Sequence, residues 1–205
     1  MNVVKGRKWT HDELVLALGL YFQTPFHKIS SRNKQIRELA RLMNRTPASV
    51  SMTMDNLARF DPTVQGKGFS SLKNGGKGDK SIWDEFYGRQ ELLSETYSRL
   101  RADIGRKDTV LEDDRIIKTP IGFDGVSLQK YRINQTFFRK SVLSAYDGKC
   151  CITGISMSQL LIASHIKPWA DCVDGNERTD SQNGLSLNPL HDRAFDKGLF
   201  TLDEE

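Results

Sequence analysis

The strongest constraint on the fold is an ordered series of short segments near the C-terminus. The segments read KCCITG, SHIKPW, NGLSLNPLH and HDRAFDKG, and two of the chain's four histidines lie within them. KCCITG is typical of a hairpin-like turn, and NGLSLNPLH leads into a helix that begins near His191. A helix with Arg139, Val142 and Leu143 precedes them. The C-terminal third is therefore predicted to be a unit of its own.

Length and composition indicate a folded protein. A chain of 205 residues can form one large domain or two small ones. Its content of 38% hydrophobic and 27% charged residues excludes a wholly disordered chain. No apolar run approaches the ~20 residues of a membrane span, and the first residues lack a secretory apolar stretch. Three cysteines do not make a disulfide scaffold. We expect a cytoplasmic protein without membrane contact.

The charge distribution favours a polyanionic partner. A net charge of +4 permits nucleic-acid binding without demonstrating it. Basic residues are concentrated within the first 45 positions, at Lys5, Arg7, Lys8, Arg32, Lys34, Arg37, Arg41 and Arg45. We predict a phosphate-facing surface there; a merely solvated helix face is the alternative.

The N-terminal part is predicted to be helical. Thr10 with Glu13 forms a capping box for the first helix, a second helix spans 33–43, and Thr46 with Pro47 begins a third. The second and third helices resemble a helix-turn-helix, and the alternative is a plain three-helix bundle. In the first interpretation, the third helix presents small polar residues to base edges: Ser49, Ser51, Thr53, Asp55 and Asn56, of which Ser49 and Asn56 are the chosen DNA-binding candidates.

The remaining segments suggest the domain organisation. A stretch rich in Gly, Lys and Ser follows Pro62, another helix is predicted over 82–100, and a short strand over 115–118. We predict a helical DNA-binding domain over 1–101, a linker over 102–134 and a second domain over 135–205.

The C-terminal segments resemble the HNH endonuclease family in order and approximate spacing. The resemblance implies an α+β protein, in which the helical domain precedes a ββα-metal nuclease domain that hydrolyses DNA with Mg²⁺ or Mn²⁺. His165 would be the general base, because a neutral imidazole accepts a proton near pH 7. Asn183 would hold the loop and orient that base, and His191 would bind the cation. Arg139 and Lys167 are candidate phosphate contacts.

The chain departs from the commoner family pattern in two places. Ser164 stands where many relatives have a metal-binding aspartate, so the second ligand stays open between water, which we favour, and Asp192 or Asp196. Many relatives also have two CxxC pairs that bind zinc, whereas this chain has adjacent Cys150 and Cys151, with Leu187 and Leu190 near the second pair. We expect no structural zinc, as in the zinc-free branch found among restriction endonucleases. An apolar cluster would replace the zinc: Ile152, Leu161, Ile162, Trp169, Leu185, Leu187 and Phe195.

The sequence is compatible with three functions to different degrees. The sequence favours a metal-dependent DNA endonuclease in restriction or defence. The alternative is a non-catalytic DNA-binding regulator with a degenerate nuclease domain. A zinc-binding interaction module fits poorly, because these cysteines and histidines do not assemble a zinc quartet. A palindromic target would require a homodimer.

Overall fold

The computed structural model describes residues 7–65, 77–104 and 125–203. Lys5, residues 66–76 of the Gly-rich stretch and the strand predicted over 115–118 lie outside these ranges. The described elements, in chain order, are α1 (His11–Phe22), α2 (Lys34–Leu42), α3 (Pro47–Ala58), α4 (Pro62–Gln65), α5 (Lys77–Phe86), α6 (Gln90–Ile104), α7 (Gly125–Ala145), β1 (Ile162–His165), α8 (Gly175–Thr179), β2 (Gly184–Leu187) and α9 (Pro189–Asp196). Short 3₁₀ turns lie at Phe26–Lys28, Ser158–Leu160, Trp169–Asp171 and Ser181–Asn183.

The predicted starts of α1, α2 and α3 are confirmed, whereas the single helix predicted over 82–100 is divided between α5 and α6. The Thr10 hydroxyl accepts a hydrogen bond from the backbone of Glu13, and the Glu13 carboxylate accepts one from the Thr10 backbone. Asn33 caps α2, and Thr46 caps α3 with Pro47 in the first turn. Each cap satisfies backbone donors that have no partner within the helix, which typically contributes about 1 kcal/mol.

Helix α1 lies at the centre of the N-terminal core. Its residues from Glu13 to Tyr21 are all buried, as expected for a helix that is apolar on every side. It contacts α2, α3, α5, α6 and α7. Gly19 permits the close approach of α6, because a Cβ at this position would overlap the Tyr97 ring.

The predicted base-reading face of α3 is wrong at two positions. Ser51 and Thr53 are buried, because α3 is packed between α1, α2 and α5. Ser49 and Asn56 are partly buried, and the Asn56 side-chain oxygen is shielded from solvent without a hydrogen-bond partner in the described structure. The helix therefore offers solvent much less of its polar face than the sequence predicted.

Arg45 also departs from prediction, because it does not belong to a solvated basic face. Its guanidinium group donates hydrogen bonds to the Glu13 carboxylate and to the carbonyls of Arg7 and Lys8. It lies 4.0 Å from the centroid of the Trp9 ring. Arg45 thus holds the segment before α1 against the α2–α3 connection.

The predicted linker is helical in its last ten positions, since α7 begins at Gly125 and continues through 134. Helices α6 and α7 contact each other, and both contact α8 in the C-terminal part. Glu91 of α6 pairs with Lys130 and accepts a hydrogen bond from Asn134. A Cβ on Gly175 would overlap the Glu91 carboxylate, so this glycine permits the close contact between α6 and α8. The two parts are packed together.

The C-terminal part contains a two-stranded antiparallel sheet, in which Ile162 lies opposite Leu187 and His165 lies opposite Gly184. Of the predicted apolar cluster, Leu161, Leu185 and Leu187 are buried, but Ile152 is exposed. Phe138 and Val142 of α7 are buried and contribute the apolar surface that Ile152 does not. No helix in the described ranges has the length and apolar character needed to cross a lipid bilayer.

Candidate active site

His165 lies at the end of β1 between two aromatic side chains. Its ring stacks on Phe138 at 3.9 Å between centroids and meets the Trp169 ring edge-on at 5.6 Å. Gly184, directly opposite on β2, leaves room for this arrangement, because a Cβ there would lie 2.9 Å from Phe138 Cζ and overlap Val142. The imidazole is therefore held in one orientation by the elements around it.

The hydrogen bonding of His165 defines its tautomer. Its Nε2 lies 2.9 Å from the backbone carbonyl of Arg178. Since a carbonyl only accepts, Nε2 must carry the proton, which leaves the Nδ1 lone pair of the neutral ring available to accept another. Burial lowers the pKa of His165 below its ordinary value of 6.5, and this effect outweighs the opposing effect of the carbonyl. The side chain is therefore a neutral proton acceptor at physiological pH.

Asn183 connects two segments of the chain. One is the loop that contains the Arg178 carbonyl, and the other follows directly after β1. Its side-chain oxygen accepts a hydrogen bond from the Lys167 backbone at 2.8 Å, and its amide nitrogen donates to the carbonyls of Lys167 and Glu177. The carbonyl bound by His165 belongs to the next residue, Arg178. Asn183 therefore helps to hold in place the loop whose Arg178 carbonyl accepts the hydrogen bond of His165.

Two predicted phosphate contacts are engaged inside the protein. Lys167 pairs with Glu177 at 2.8 Å within the loop between the strands. Arg139 is buried, and its guanidinium group donates to the carbonyls of Leu161 and Ser158, which fastens α7 to the segment before β1. The helix face that carries Arg139 packs against the sheet, so this candidate phosphate contact is buried in the structure.

A cavity of about 560 Å³ opens beside His165. Its described lining includes His165 and one carboxylate, Asp196 at the end of α9, but neither Asn183 nor His191. Its apolar walls come mostly from the chain around α9 and just after it: Ile166, Pro168, Phe195, Leu199 and Phe200. The cavity thus contains both the His165 imidazole and the Asp196 carboxylate, a group that can bind a cation.

His191 lies against a different corner of the C-terminal part. Its Nδ1 is 3.9 Å from Cys150 Sγ, and Asn188 donates to the Thr153 hydroxyl at 3.4 Å. Burial opposes ionisation of Cys150, but hydrogen bonds from Thr153 and His191 favour the thiolate and bring its pKa to about 6. Asn188 and His191 therefore face the turn that contains Cys150 and Thr153. They lie one residue after Leu187 and Leu190, which the sequence had suggested for the second zinc-binding pair of relatives.

The donor set for a divalent cation is sparse. Within the described ranges, no three His, Cys, Asp or Glu residues converge in a metal-binding arrangement. Asp192 and Asp196 are four residues apart on α9, and such positions share a helix face. Mg²⁺ commonly keeps several waters and takes one or two carboxylates, so these residues are compatible with it.

The C-terminal part thus combines a two-stranded antiparallel sheet, a histidine at the end of its first strand and a helix that follows its second strand. Residues 150–203 match the family model described as HNH endonuclease, which confirms the resemblance predicted from the sequence. The C-terminal part of this helix-rich protein is therefore an HNH endonuclease domain, whose substrate class is DNA. No curated protein and no solved structure matches the chain.

Proposed function

We propose that the protein is a divalent-metal-dependent DNA endonuclease in which His165 is the general base. The observation that carries the proposal is the hydrogen bond from His165 Nε2 to the Arg178 carbonyl, because it leaves Nδ1 as the proton acceptor. Burial keeps this imidazole neutral at physiological pH. A fixed neutral base is what activation of a water molecule requires.

In the proposed reaction, His165 takes a proton from a water molecule, and the oxygen attacks the scissile phosphorus as the bond to the 3′ oxygen breaks. Asn183 acts as a positioning residue, because it fixes the loop that holds the imidazole. A divalent cation would neutralise charge on the phosphate and stabilise the departing oxygen. We assign Asp196, together with Asp192 on the same helix face, to hold it. His191, the ligand predicted from the sequence, lies against Cys150 and is not among the residues that line this cavity.

The proposal is tested by incubating purified protein with supercoiled plasmid, unmodified and carrying modified bases, in Mg²⁺, Mn²⁺ or EDTA. We expect nicking or linearisation with the cations and none with EDTA. Asp196→Asn should raise the Mn²⁺ concentration that gives half-maximal cleavage, whereas Asp203→Asn, a matched change outside α9, should not. DNA binding without cleavage on any substrate or cation would favour the non-catalytic regulator instead.

The role in restriction or defence is part of the same proposal. It is supported by the likeness of the C-terminal segments to the zinc-free HNH branch and by the helical part packed against the nuclease domain. A defence enzyme should cut foreign plasmid and spare the DNA of its own host. Equal cleavage of both would argue for a different cellular role.

The pH dependence of cleavage should reflect the buried base. Because burial lowers the pKa of His165, the neutral form persists to more acidic pH, and the acidic limb of log(kcat/KM) should fall below pH 6.5. Phe138→Leu removes the stacked ring and should move this limb to higher pH by partly restoring solvation. The profile is measured with Mg²⁺ at constant ionic strength. An acidic limb above pH 6.5 in the unmodified protein would contradict the assignment.

A further inference from the structure

A second surface, on the helical part of the molecule, has a marked positive charge. Lys34, Arg37 and Arg41 of α2 are all exposed. Their spacing of three and four residues places them on one face of the helix. Together with Glu38, Arg45 and Pro47 they line a groove of about 450 Å³. We call this surface the α2 groove.

The charges within the α2 groove are not balanced. Glu38 pairs with Arg101 of α6 at 2.8 Å, and Arg45 pairs with buried Glu13. The three exposed cations of α2 make no ion pair with any residue of the described ranges. Pro47 also brings the first turn of α3 to the groove, where the backbone amides of a helix contribute partial positive charge. The groove therefore presents three uncompensated cations.

We propose that the α2 groove docks the sugar–phosphate backbone of duplex DNA. Residues 34 to 41 span roughly 10 Å along a helix with a rise of about 1.5 Å per residue. Phosphates on one DNA strand advance about 3.4 Å along its axis, so this span covers roughly three steps. Arginine forks suit phosphate oxygens through paired hydrogen bonds.

This inference rests on the proposed function, which supplies DNA as the partner. It places the phosphate contacts on α2, within the basic surface predicted from the sequence, and requires no base contact from α3. The sequence favoured α3 as a base reader, but Ser51 and Thr53 are buried against neighbouring helices. Contacts from α2 to phosphates would hold the duplex without reading its sequence. The helical part would then contribute affinity, and specificity would have to arise at other contacts.

The test measures binding separately from cleavage. A fluorescent 30-base-pair duplex is titrated in EDTA with protein carrying His165→Ala, so that the DNA stays intact. To this background we add Lys34→Gln, Arg37→Gln and Arg41→Gln together. The control variant carries Lys80→Gln, Arg89→Gln and Lys149→Gln in the same His165→Ala protein. These three exposed residues have the same total charge as the α2 residues and lie outside the groove.

Each lost phosphate contact should reduce the magnitude of the negative slope of log K against log salt concentration by about 0.9. Losing three contacts should therefore reduce it by about 2.7 and weaken binding at 0.1 M salt by roughly 500-fold, and Arg37→Gln alone should reduce it by about 0.9. The control variant should keep the parental slope. Thermal unfolding of each variant verifies that the exposed substitutions leave the fold intact.

Each result has a defined meaning. If the parent protein does not bind duplex DNA, the proposed function fails. If the parent binds and the two triple variants lose the same affinity, the α2 groove is not the docking surface, although the nuclease proposal stands. Tighter binding of single-stranded RNA than of duplex DNA by the parent would also overturn the inference.

Discussion

His165→Ala should lower the rate of DNA cleavage by roughly 10²- to 10⁴-fold, the usual contribution of a positioned general base. The variant removes the Nδ1 acceptor, so that water must lose its proton to solvent. Affinity for duplex DNA in EDTA should stay close to that of the parent. The measurement is the single-turnover rate on supercoiled plasmid with saturating Mg²⁺.

Two controls separate chemistry from structure in this experiment. His27→Ala removes an exposed histidine that pairs with Asp147 outside the candidate site, and it should leave the rate nearly unchanged. Added imidazole should restore part of the His165→Ala rate, because the deletion leaves a space between Phe138 and Trp169. A His165→Ala protein that keeps more than about a tenth of the parental rate would eliminate His165 as the base.

Arg45→Ala should lower the free energy of unfolding by about 3–5 kcal/mol, the range observed when one partner of a buried ion pair is removed. The side chains of Arg45 and Glu13 are only 6% and 8% exposed. Without Arg45, the Glu13 carboxylate stays buried beside a single, more exposed partner, and the carbonyls of Arg7 and Lys8 lose their donors. Urea unfolding followed by circular dichroism measures the loss.

Arg7→Ala provides the matched comparison for Arg45→Ala. Arg7 pairs with the same carboxylate, but its side chain is 41% exposed, so its loss should cost no more than about 1 kcal/mol. Glu13→Gln should be costly as well, because it removes the charge that Arg45 requires. Equal effects of Arg7→Ala and Arg45→Ala would show that burial does not set the strength of this pair.

Local signals predicted much of the helical fold. The caps at Thr10, Asn33 and Thr46 depend on residues within three positions of each helix start, so they can be read from the sequence. Burial of Ser51 and Arg45 depends on packing between helices that are distant in sequence, and no local pattern encodes it. The predicted polar face of α3 and the place of Arg45 in the predicted basic surface were wrong for that reason.

In the candidate site, the sequence indicated side chains but not the backbone group that orients them. His165 and Asn183 lie in recognisable segments, whereas the acceptor of His165 is the carbonyl of Arg178, a group that every residue has. The contact between Cys150 and His191 could have been predicted from the spacing of residues in the sequence. Asn188 and His191 have the same three-residue spacing as Cys150 and Thr153, whereas the positions predicted for the second pair, Leu187 and Leu190, lie one residue earlier.

The contact of α6 with α8 affects where the enzyme would cut. Glu91 of α6 lies against Gly175, three residues before the Arg178 carbonyl that orients His165. The helical part that would bind DNA is therefore packed directly on the loop that orients His165. A flexible tether would scatter cuts over a range of distances from the gripped segment. Rigid packing would instead keep a constant distance between the bound segment of the duplex and the site of cleavage.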